Sequence, residues 1–312
     1  MPLVSVLMAA YNSERYVAQA VTSILNQTWP DLELIIINDG STDGTLRVLQ
    51  QLADQDQRIR LISRENRGIP RTRNELVAQA SGELIAMMDA DDVARPDRLA
   101  QQVAFLQQHP QVVCLGSAFE LIDAKGRFLT QLPVPLHNDE IQTNILAGHA
   151  AIFQPCAMLR RSVVLQIGGY DETMTQAEDL DLWLRLGEVG ELANLPEALV
   201  QYRLHANSVS EQDCTLQRQK ALEACERAWQ RRGIQGRFEA GELWRPGKDR
   251  GSQHRFWMQY GWWAFNSGER QTALIYGLKA IRALPWHRAG WILVSCALLK
   301  PLPKPAKQRT GE

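Results

Sequence analysis

Cysteines are few in this sequence of 312 residues, and none of them belongs to a paired motif. The five cysteines are scattered, their number is odd, and no C-x-x-C pair or histidine cluster accompanies them. This pattern argues against a zinc knuckle and against a disulfide framework. We therefore expect a reducing compartment, the cytoplasm.

Long hydrophobic runs are also missing. The longest run near the end, residues 289–299, already contains Ser295. A helix of that length rises about 16 Å, whereas a bilayer core is about 30 Å thick. The first residues, MPLVSVLMAAYN, have neither a positive segment nor a long apolar segment, so we expect a strand there and no secretory signal.

Net charge is nearly absent, at −1, but the charges are unevenly distributed. Residues 1–213 carry a net charge of −12, and residues 214–312 one of +11. The hydrophobic share of 45% and the charged share of 22% are ordinary for a soluble globular protein and exclude a disordered, collagen-like or coiled-coil chain. The basic part predicts contact with an anionic surface, with a merely solvated tail as the alternative.

Apolar runs alternate with helical patterns over the first 110 residues. We predict strands at 4–9, 34–37, 59–63 and 84–88. The first helix is capped at 13–15 and shows apolar residues between 17 and 25, and further helices span about 43–54 and 70–80. Continuous apolar strands in such an order predict an α/β layered domain with a mostly parallel sheet. Ligands bind at the carboxyl ends of these strands, where polar residues follow the first, second and fourth strands here.

The remaining sequence predicts further strands at 112–115, 119–122 and 199–204, a hairpin turn at 123–126 and a helix of about ten residues near 178. After residue 210 the pattern becomes helical and rich in tryptophan. Two interpretations stay open, a membrane interface and the packed core of a helical cap, for Trp257, Trp262, Trp263, Trp286 and Trp291. No motif for RNA or DNA binding is present, so no nucleic-acid partner is expected.

Asp89 and Asp91 are two residues apart at the end of a predicted strand. That spacing places both carboxylates on one side, where they suit Mg²⁺ or Mn²⁺ shared with a phosphate. Helix capping is the alternative for Asp92. The segment 89–93 also matches the D-x-D-x-[TV] pattern of haloacid-dehalogenase-like phosphatases, with Asp89 as nucleophile. In those enzymes the motif lies on an early strand, whereas here three β-α units precede it.

Four segments in order carry a resemblance to a known family: VSVLMAAYN at 4–12, NDGSTD at 38–43, DADD at 89–92 and AEDLDLW at 177–183. Together they resemble the family 2 inverting glycosyltransferases of bacterial cell-surface polysaccharide synthesis. The resemblance covers about residues 3–210. It implies the GT-A fold, a layered α/β/α domain with a mostly parallel mixed sheet, followed by a C-terminal helical extension.

The resemblance also implies a division of the chain and a set of donor contacts. Residues 1–210 form the GT-A domain, with a nucleotide-sugar-binding half at 1–110 and an acceptor-binding half at 111–210, and residues 211–312 form a basic helical module. The predicted donor contacts are the backbone of Ala9, Tyr11 against the base, Asp39 on the base imide, Arg73 on a phosphate or base edge, and Asp89 on the ribose.

The implied catalytic and metal-binding residues follow the later motifs. Asp179 is the general base on the acceptor hydroxyl, and Asp91 binds Mg²⁺ or Mn²⁺ on the diphosphate. His205, in YRLH, is a further metal ligand, with an ordinary surface or core histidine as the alternative. On the predicted helix Asp181 faces away from Asp179 and forms a surface ion pair with Arg185, which makes it structural.

The sequence therefore predicts a metal-dependent inverting glycosyltransferase that uses a nucleotide-diphosphate sugar and a glycan or lipid-linked acceptor. We expect it in the cytoplasm, with peripheral contact at the inner membrane face through the basic module. A non-catalytic nucleotide-sugar-binding or assembly protein is the alternative. Asp39 suits uracil, thymine or guanine and does not choose among them.

Overall fold

The computed structural model describes residues 3–205, 214–241 and 249–303. The strands of this part are β1 (Val4–Ala10), β2 (Leu32–Asp39), β3 (Ile59–Arg64), β4 (Leu84–Asp89), β5 (Val93–Ala94), β6 (Val112–Asp123), β7 (Phe128–Leu132), β8 (Met158–Arg160) and β9 (Glu191–Leu204). The helices are α1 (Val17–Leu25), α2 (Thr45–Ala53), α3 (Ile69–Gln79), α4 (Arg98–Gln108), α5 (Asn138–Leu146), α6 (Arg161–Gln166), α7 (Glu178–Leu186), α8 (Cys214–Arg232), α9 (Arg250–Asn266), α10 (Arg270–Ala283) and α11 (Arg288–Leu299).

The chain divides into two compact units. Unit 1 comprises Met1–Phe119, Pro133–Tyr202 and Thr215–Glu242, and unit 2 comprises Glu120–Leu132, Arg203–Cys214 and Leu243–Glu312. The boundaries predicted from the sequence at residues 110 and 210 separate donor-binding, acceptor-binding and basic parts. That division by function stays a prediction.

Parallel strands form the centre of unit 1, in the order β3-β2-β1-β4. Successive side chains of β1 enter two different cores, because a strand points them alternately to opposite faces. Leu7 packs with α3 and α7 on one face, while Val6 and Met8 pack with α1 and α4 on the other. Antiparallel strands β8 and β6 continue the sheet beyond β4. The predicted α/β fold with a mostly parallel mixed sheet is confirmed.

Strand β6 differs from the sequence prediction, which placed two strands at 112–115 and 119–122. The structure has one strand of 12 residues, and Gly116 lies inside it. A Cβ at Gly116 would meet the side-chain oxygen of Asn194 at 2.0 Å, so the glycine makes room for this side chain of β9. The Asn194 amide donates to the backbone carbonyls of Pro135 and Ala151. The apparent break in the apolar pattern is a packing requirement.

Unit 2 combines a hairpin with three helices. The predicted turn at 123–126 is confirmed: Gly126 has φ +78° and its N–H donates to the Asp123 carbonyl at 2.8 Å. The buried Asp123 carboxylate accepts hydrogen bonds from the Tyr276 hydroxyl of α10 at 2.7 Å and from Arg127 Nε at 2.6 Å. These bonds fasten α10 to the hairpin of β6 and β7.

The five tryptophans for which two interpretations stayed open fall into two groups. Trp257, Trp262 and Trp263 are half-buried among the aromatic rings of α9 and α10. Trp286 is 97% exposed and Trp291 is 55% exposed. The core interpretation therefore holds for three tryptophans and fails for the other two. Among the described residues, no helix has both the length and the apolar character needed to cross a membrane.

Candidate active site

Polar segments from three motifs meet at the carboxyl edge of the parallel strands in unit 1. The register pairs Ala9 of β1 with Ile37 of β2 and with Asp89 of β4. The NDGSTD and DADD segments therefore begin at the same edge as the end of β1. The side chain of Asp89 is 36% exposed there. This is the edge at which parallel α/β sheets bind their ligands.

Asp39 ends β2 and organises the loop before α3. Its buried carboxylate accepts hydrogen bonds from the backbone N–H groups of Arg67 at 2.9 Å and Gly68 at 3.2 Å, and it pairs with Arg64. Gly68 has φ +83°, which suits glycine, and α3 begins at the next residue. An ionised carboxylate has about four acceptor positions, so these three contacts leave about one for a ligand. The predicted contact of Asp39 with a base stays a prediction.

Arg73 of α3 connects two motifs that are far apart in sequence. Its guanidinium pairs with Glu178 at the start of α7, 105 residues away. Its Nη2 also lies 3.6 Å from Oδ1 of Asp89, and its guanidinium carbon lies 5.6 Å from the ring centre of Tyr170. Burial disfavours the cation, but Glu178 and its acidic neighbours outweigh this and raise the pKa of Arg73. Arg73 is therefore a permanent cation between the DADD and AED segments.

Negative charge predominates around Arg73. Burial raises the pKa of Glu178, and Asp179 adds to this effect while Arg73 opposes it. Burial also raises the pKa of Asp89, Arg73 opposes this, and the like charges of Asp91 and Asp179 add to it. Carboxylates that raise one another's pKa gain stability when a further cation approaches. The electrostatic potential of the carboxylates at this edge of the sheet therefore favours the binding of a cation.

Asp179 and Asp181 have different environments on α7. Asp179 is half-exposed, and its Oδ1 accepts a hydrogen bond from the N–H of Leu180 at 2.8 Å. Asp181 is buried and pairs with Arg185 at 2.7 Å, and Arg185 also donates to the carbonyl of Gly169. The predicted structural pair exists, but its description as a surface pair is wrong, because α7 packs this side of the helix into the core. Asp179 keeps the accessibility that a general base requires.

The loop after β1 is fixed against the loop after β2. Asn12, which has φ +47°, accepts at its side-chain oxygen from the N–H of Thr42 at 2.8 Å and donates its own N–H to Ser41 Oγ at 3.0 Å. Tyr11, the residue before Asn12, is 52% exposed, so its ring is accessible to solvent. A ring in this position suits stacking with a planar base. The contact with a base stays a prediction.

Several residues that shape the site were not predicted from the sequence. Asn12 carried a signal, since an asparagine after a strand often adopts a positive φ. Tyr170 and Gln154 carried none: the Tyr170 hydroxyl accepts from the Gln154 amide at 2.7 Å, and Tyr170 lies against Arg73. For Glu178, in the AEDLDLW segment, the structure shows an ion pair with Arg73 that the sequence did not indicate.

The acidic residues fit a divalent cation that shares its ligands with a phosphate. Asp89 at the end of β4 and Asp91 in the turn that follows are both partly exposed. Within residues 3–205, 214–241 and 249–303, no three His, Cys, Asp or Glu side chains are grouped so that they alone would hold a metal. Mg²⁺ is typically bound by one or two carboxylates together with substrate phosphates and waters, which agrees with this donor set. His205 belongs to unit 2, and its pairing with Asp91 stays a prediction.

Comparison with known proteins decides the family. The family model described as Glycosyl transferase family 2 matches residues 5–168. The chain belongs to this family. The matched range contains Ala9, Tyr11, Asp39, Arg73, Asp89 and Asp91, and it ends before Asp179 and His205. Membership in family 2 removes the support for a haloacid-dehalogenase-like phosphatase.

Individual relatives agree with this assignment. The chain is 36% identical over 228 residues to an uncharacterized glycosyltransferase of Haemophilus influenzae, which covers 67% of this chain and 68% of that protein. It is 34% identical over 210 residues to the O-antigen biosynthesis glycosyltransferase WbnJ of Escherichia coli, over 66% of this chain and 81% of that protein.

A solved structure supports the fold of this family 2 glycosyltransferase. The mannosyltransferase PcManGT from Pyrobaculum calidifontis, in complex with GDP-Man and Mn²⁺, superposes with a TM-score of 0.56 at 18% identity. The likeness covers 96% of this chain and 80% of that one. The predicted GT-A fold is confirmed.

Proposed function

We propose that this glycosyltransferase moves a sugar from a nucleoside-diphosphate donor to a hydroxyl of a glycan or lipid-linked acceptor, with inversion and with help from a divalent cation. Polysaccharide biosynthesis is the process we propose, since a relative that is 34% identical is named for O-antigen biosynthesis. Buried, unpaired thiols at Cys114, Cys156, Cys225 and Cys296 support a reducing location, the cytoplasm.

The bridge made by Arg73 carries this proposal. It brings the helix that bears Asp179 to the strand end that bears Asp89 and Asp91, although the two segments are about 90 residues apart in sequence. A transferase needs a base for the acceptor and a cation-binding acid for the leaving group at one place. Arg73 supplies the physical link between them.

Asp179 is the proposed base for a single displacement. Its carboxylate takes the proton of the acceptor hydroxyl while that oxygen forms a bond to the anomeric carbon of the donor. The bond from the anomeric carbon to the diphosphate oxygen breaks, and the electron pair leaves with the nucleoside diphosphate. One in-line attack inverts the anomeric centre, and a positioned carboxylate contributes about 10²–10⁴-fold to such a step.

Asp91 is the proposed ligand of Mg²⁺ or Mn²⁺, with His205 as a second ligand. A bound cation of this kind neutralises charge that develops on the diphosphate, an effect typically worth several kcal/mol. Arg73 is paired with Glu178 and Asp89, so we also assign it to holding Asp89 in place at the ribose. The contact of Arg73 with a phosphate or base edge stays a prediction. Tyr11, the Ala9 backbone and Asp39 receive the base.

The experiment is to incubate the full chain with a series of UDP-, GDP- and dTDP-sugars, a panel of simple glycoside acceptors and Mn²⁺, and to measure release of the nucleoside diphosphate. Nuclear magnetic resonance of the transferred sugar then reports its anomeric configuration. We expect release from one nucleotide class, loss of release with EDTA, and an inverted product. Binding of a donor without any release would support a non-catalytic nucleotide-sugar-binding protein, and a retained configuration would contradict the role of Asp179.

A further inference from the structure

Helix α11 of unit 2 carries large apolar side chains toward solvent. The exposed positions of this 12-residue helix recur at spacings of three and four and so form one face: Arg288, Trp291, Ile292, Ser295, Leu298 and Leu299. On the opposite face Leu293, Cys296 and Ala297 are buried in the core that α9 and α10 share. A helix that is apolar on both faces is ordinarily buried all round, yet here one face is open.

Exposure on this face is large and continues into the turn before α11. Trp291, Ile292, Leu298 and Leu299 are 55%, 53%, 60% and 84% exposed, and Trp286 in the preceding turn is 97% exposed. The indole N–H of Trp291 donates to the Pro285 carbonyl at 2.9 Å, which keeps Trp291 beside this turn. We call these five apolar side chains the docking face.

The sequence that carries the docking face is mostly basic. From residue 270 to residue 303 the chain has five basic and no acidic residues: Arg270, Lys279, Arg282, Arg288 and Lys300. Residues 304–312, outside the described part, read KPAKQRTGE in sequence and add three basic residues and one acid. This segment has no large apolar side chain with which to cover the docking face. An apolar surface on a basic segment is complementary to a surface that is anionic outside and apolar inside.

We propose that the docking face inserts into the headgroup region of a membrane that contains anionic lipid. The tryptophan rings suit the boundary between water and acyl chains, and basic residues suit the lipid phosphates. Helix α11 is about 18 Å long and lies in the plane of the membrane, since a bilayer core is about 30 Å thick. A two-fold pairing of this face with a second copy would bring Arg288 and its basic neighbours together, which like-charge repulsion opposes.

The test compares sedimentation of the full chain with vesicles of phosphatidylcholine alone and with vesicles that also contain phosphatidylglycerol. Trp286→Ser with Leu299→Ser removes the two most exposed side chains of the docking face, so folding is spared. Leu165→Ser with Val189→Ser is the matched control, because these residues of unit 1 are 46% and 49% exposed. We expect binding only with phosphatidylglycerol, a loss of at least about tenfold in the docking-face variant, and native binding in the control.

Charge-reversal variants test the contribution of the lipid phosphates to binding separately from the contribution of the apolar membrane interior. Arg282→Glu and Arg288→Glu are each expected to weaken binding to the anionic vesicles by about fivefold or more, and added salt is expected to reduce this difference. Brominated lipids should quench the fluorescence of the native protein more than that of Trp286→Phe.

Three results would overturn the proposal. One is failure of the native chain to bind either vesicle, and another is equal binding by the docking-face variant with an unchanged melting temperature. The third is a dimer of the native chain, seen by analytical ultracentrifugation, that the docking-face variant converts to a monomer. That outcome would assign the surface to a second copy of the chain.

Discussion

Unit 1 buries charge, whereas unit 2 exposes hydrophobic surface. In unit 1 the ion pair of Arg73 with Glu178 leaves only about a tenth of either side chain exposed. In unit 2 Trp286 and Leu299 are 97% and 84% exposed. Both features cost free energy in an isolated protein, since charges prefer water and large apolar side chains prefer the interior. Each therefore marks a place where the fold serves a ligand.

The two features also differ in what they need to become stable. The buried charges of unit 1 already compensate one another in part, and we propose that a cation completes the balance. The apolar face of unit 2 has no counterpart among the described residues, and we propose an external one, the membrane.

The largest effect is expected at the half-exposed carboxylate of unit 1. Asp179→Asn removes the proton acceptor, so turnover should fall by about 10²–10⁴-fold while donor binding persists. Asp31→Asn is the control, because Asp31 is an exposed carboxylate just before β2, at the other end of the sheet. Kinetics of nucleoside diphosphate release compare the two variants, and native turnover in Asp179→Asn would remove Asp179 from the mechanism.

The second-largest effect is expected when the buried ion pair of Arg73 with Glu178 is broken. Arg73→Met leaves Glu178 buried without its partner and is expected to lower the free energy of unfolding by about 3 kcal/mol. The double variant with Glu178→Leu removes both charges and should regain much of this loss. Urea unfolding measures all three proteins. Equal stability of Arg73→Met and the native chain would show that the bridge does not hold the site together.

A smaller loss of unfolding free energy is expected for a change in unit 2. Tyr276→Phe deletes the hydroxyl that donates to Asp123 at 2.7 Å, and hydrogen bonds to charged groups contribute about 1.5–3 kcal/mol. Arg127 still pairs with Asp123, so we expect the lower end of that range. Turnover on a soluble acceptor should stay native. A drop in turnover without a drop in unfolding free energy would contradict the structural role of this bond.

The smallest effect is a pH dependence with opposite signs in the two units. Burial raises the pKa of Glu178, so the native state binds its proton more tightly than the unfolded state does. Native stability therefore decreases as pH rises through about 4.5 to 7, and Glu178→Gln should lose this decrease. Burial opposes but does not outweigh the hydrogen bonds from Tyr276 and Arg127, which lower the pKa of Asp123.

Melting temperatures measured from neutral pH down to below 3.8, the ordinary pKa of an aspartate, cover both effects. Because the Asp123 pKa is lowered, its contribution is present at neutral pH and disappears as pH falls through the folded pKa. Asp123→Asn should therefore differ most from the native chain at neutral pH and least in acid. Parallel pH profiles for the native chain and Glu178→Gln would contradict the assignment of the first effect to Glu178.

Local patterns predicted what local physics determines. The apolar run at 34–37 predicted β2, and the spacing of Asp181 and Arg185 predicted their ion pair. Contacts between residues far apart in sequence could not be predicted from local patterns. Arg73 and Glu178 are 105 residues apart, and no motif around either residue indicates that they pair. Trp257 and Trp286 have the same chemistry in the sequence, and only the packing of α9 and α10 decides which of them is covered.

The most direct test of the site in unit 1 is the melting temperature with UDP, GDP, dTDP or ADP, each with and without Mn²⁺. A ligand at 100 times its dissociation constant adds about 2.7 kcal/mol of stability. We predict a rise for one nucleotide that requires Mn²⁺, persists in Asp179→Asn and disappears in Asp91→Asn. No rise with any nucleotide, or a rise that Asp91→Asn leaves unchanged, would contradict the metal-dependent donor site.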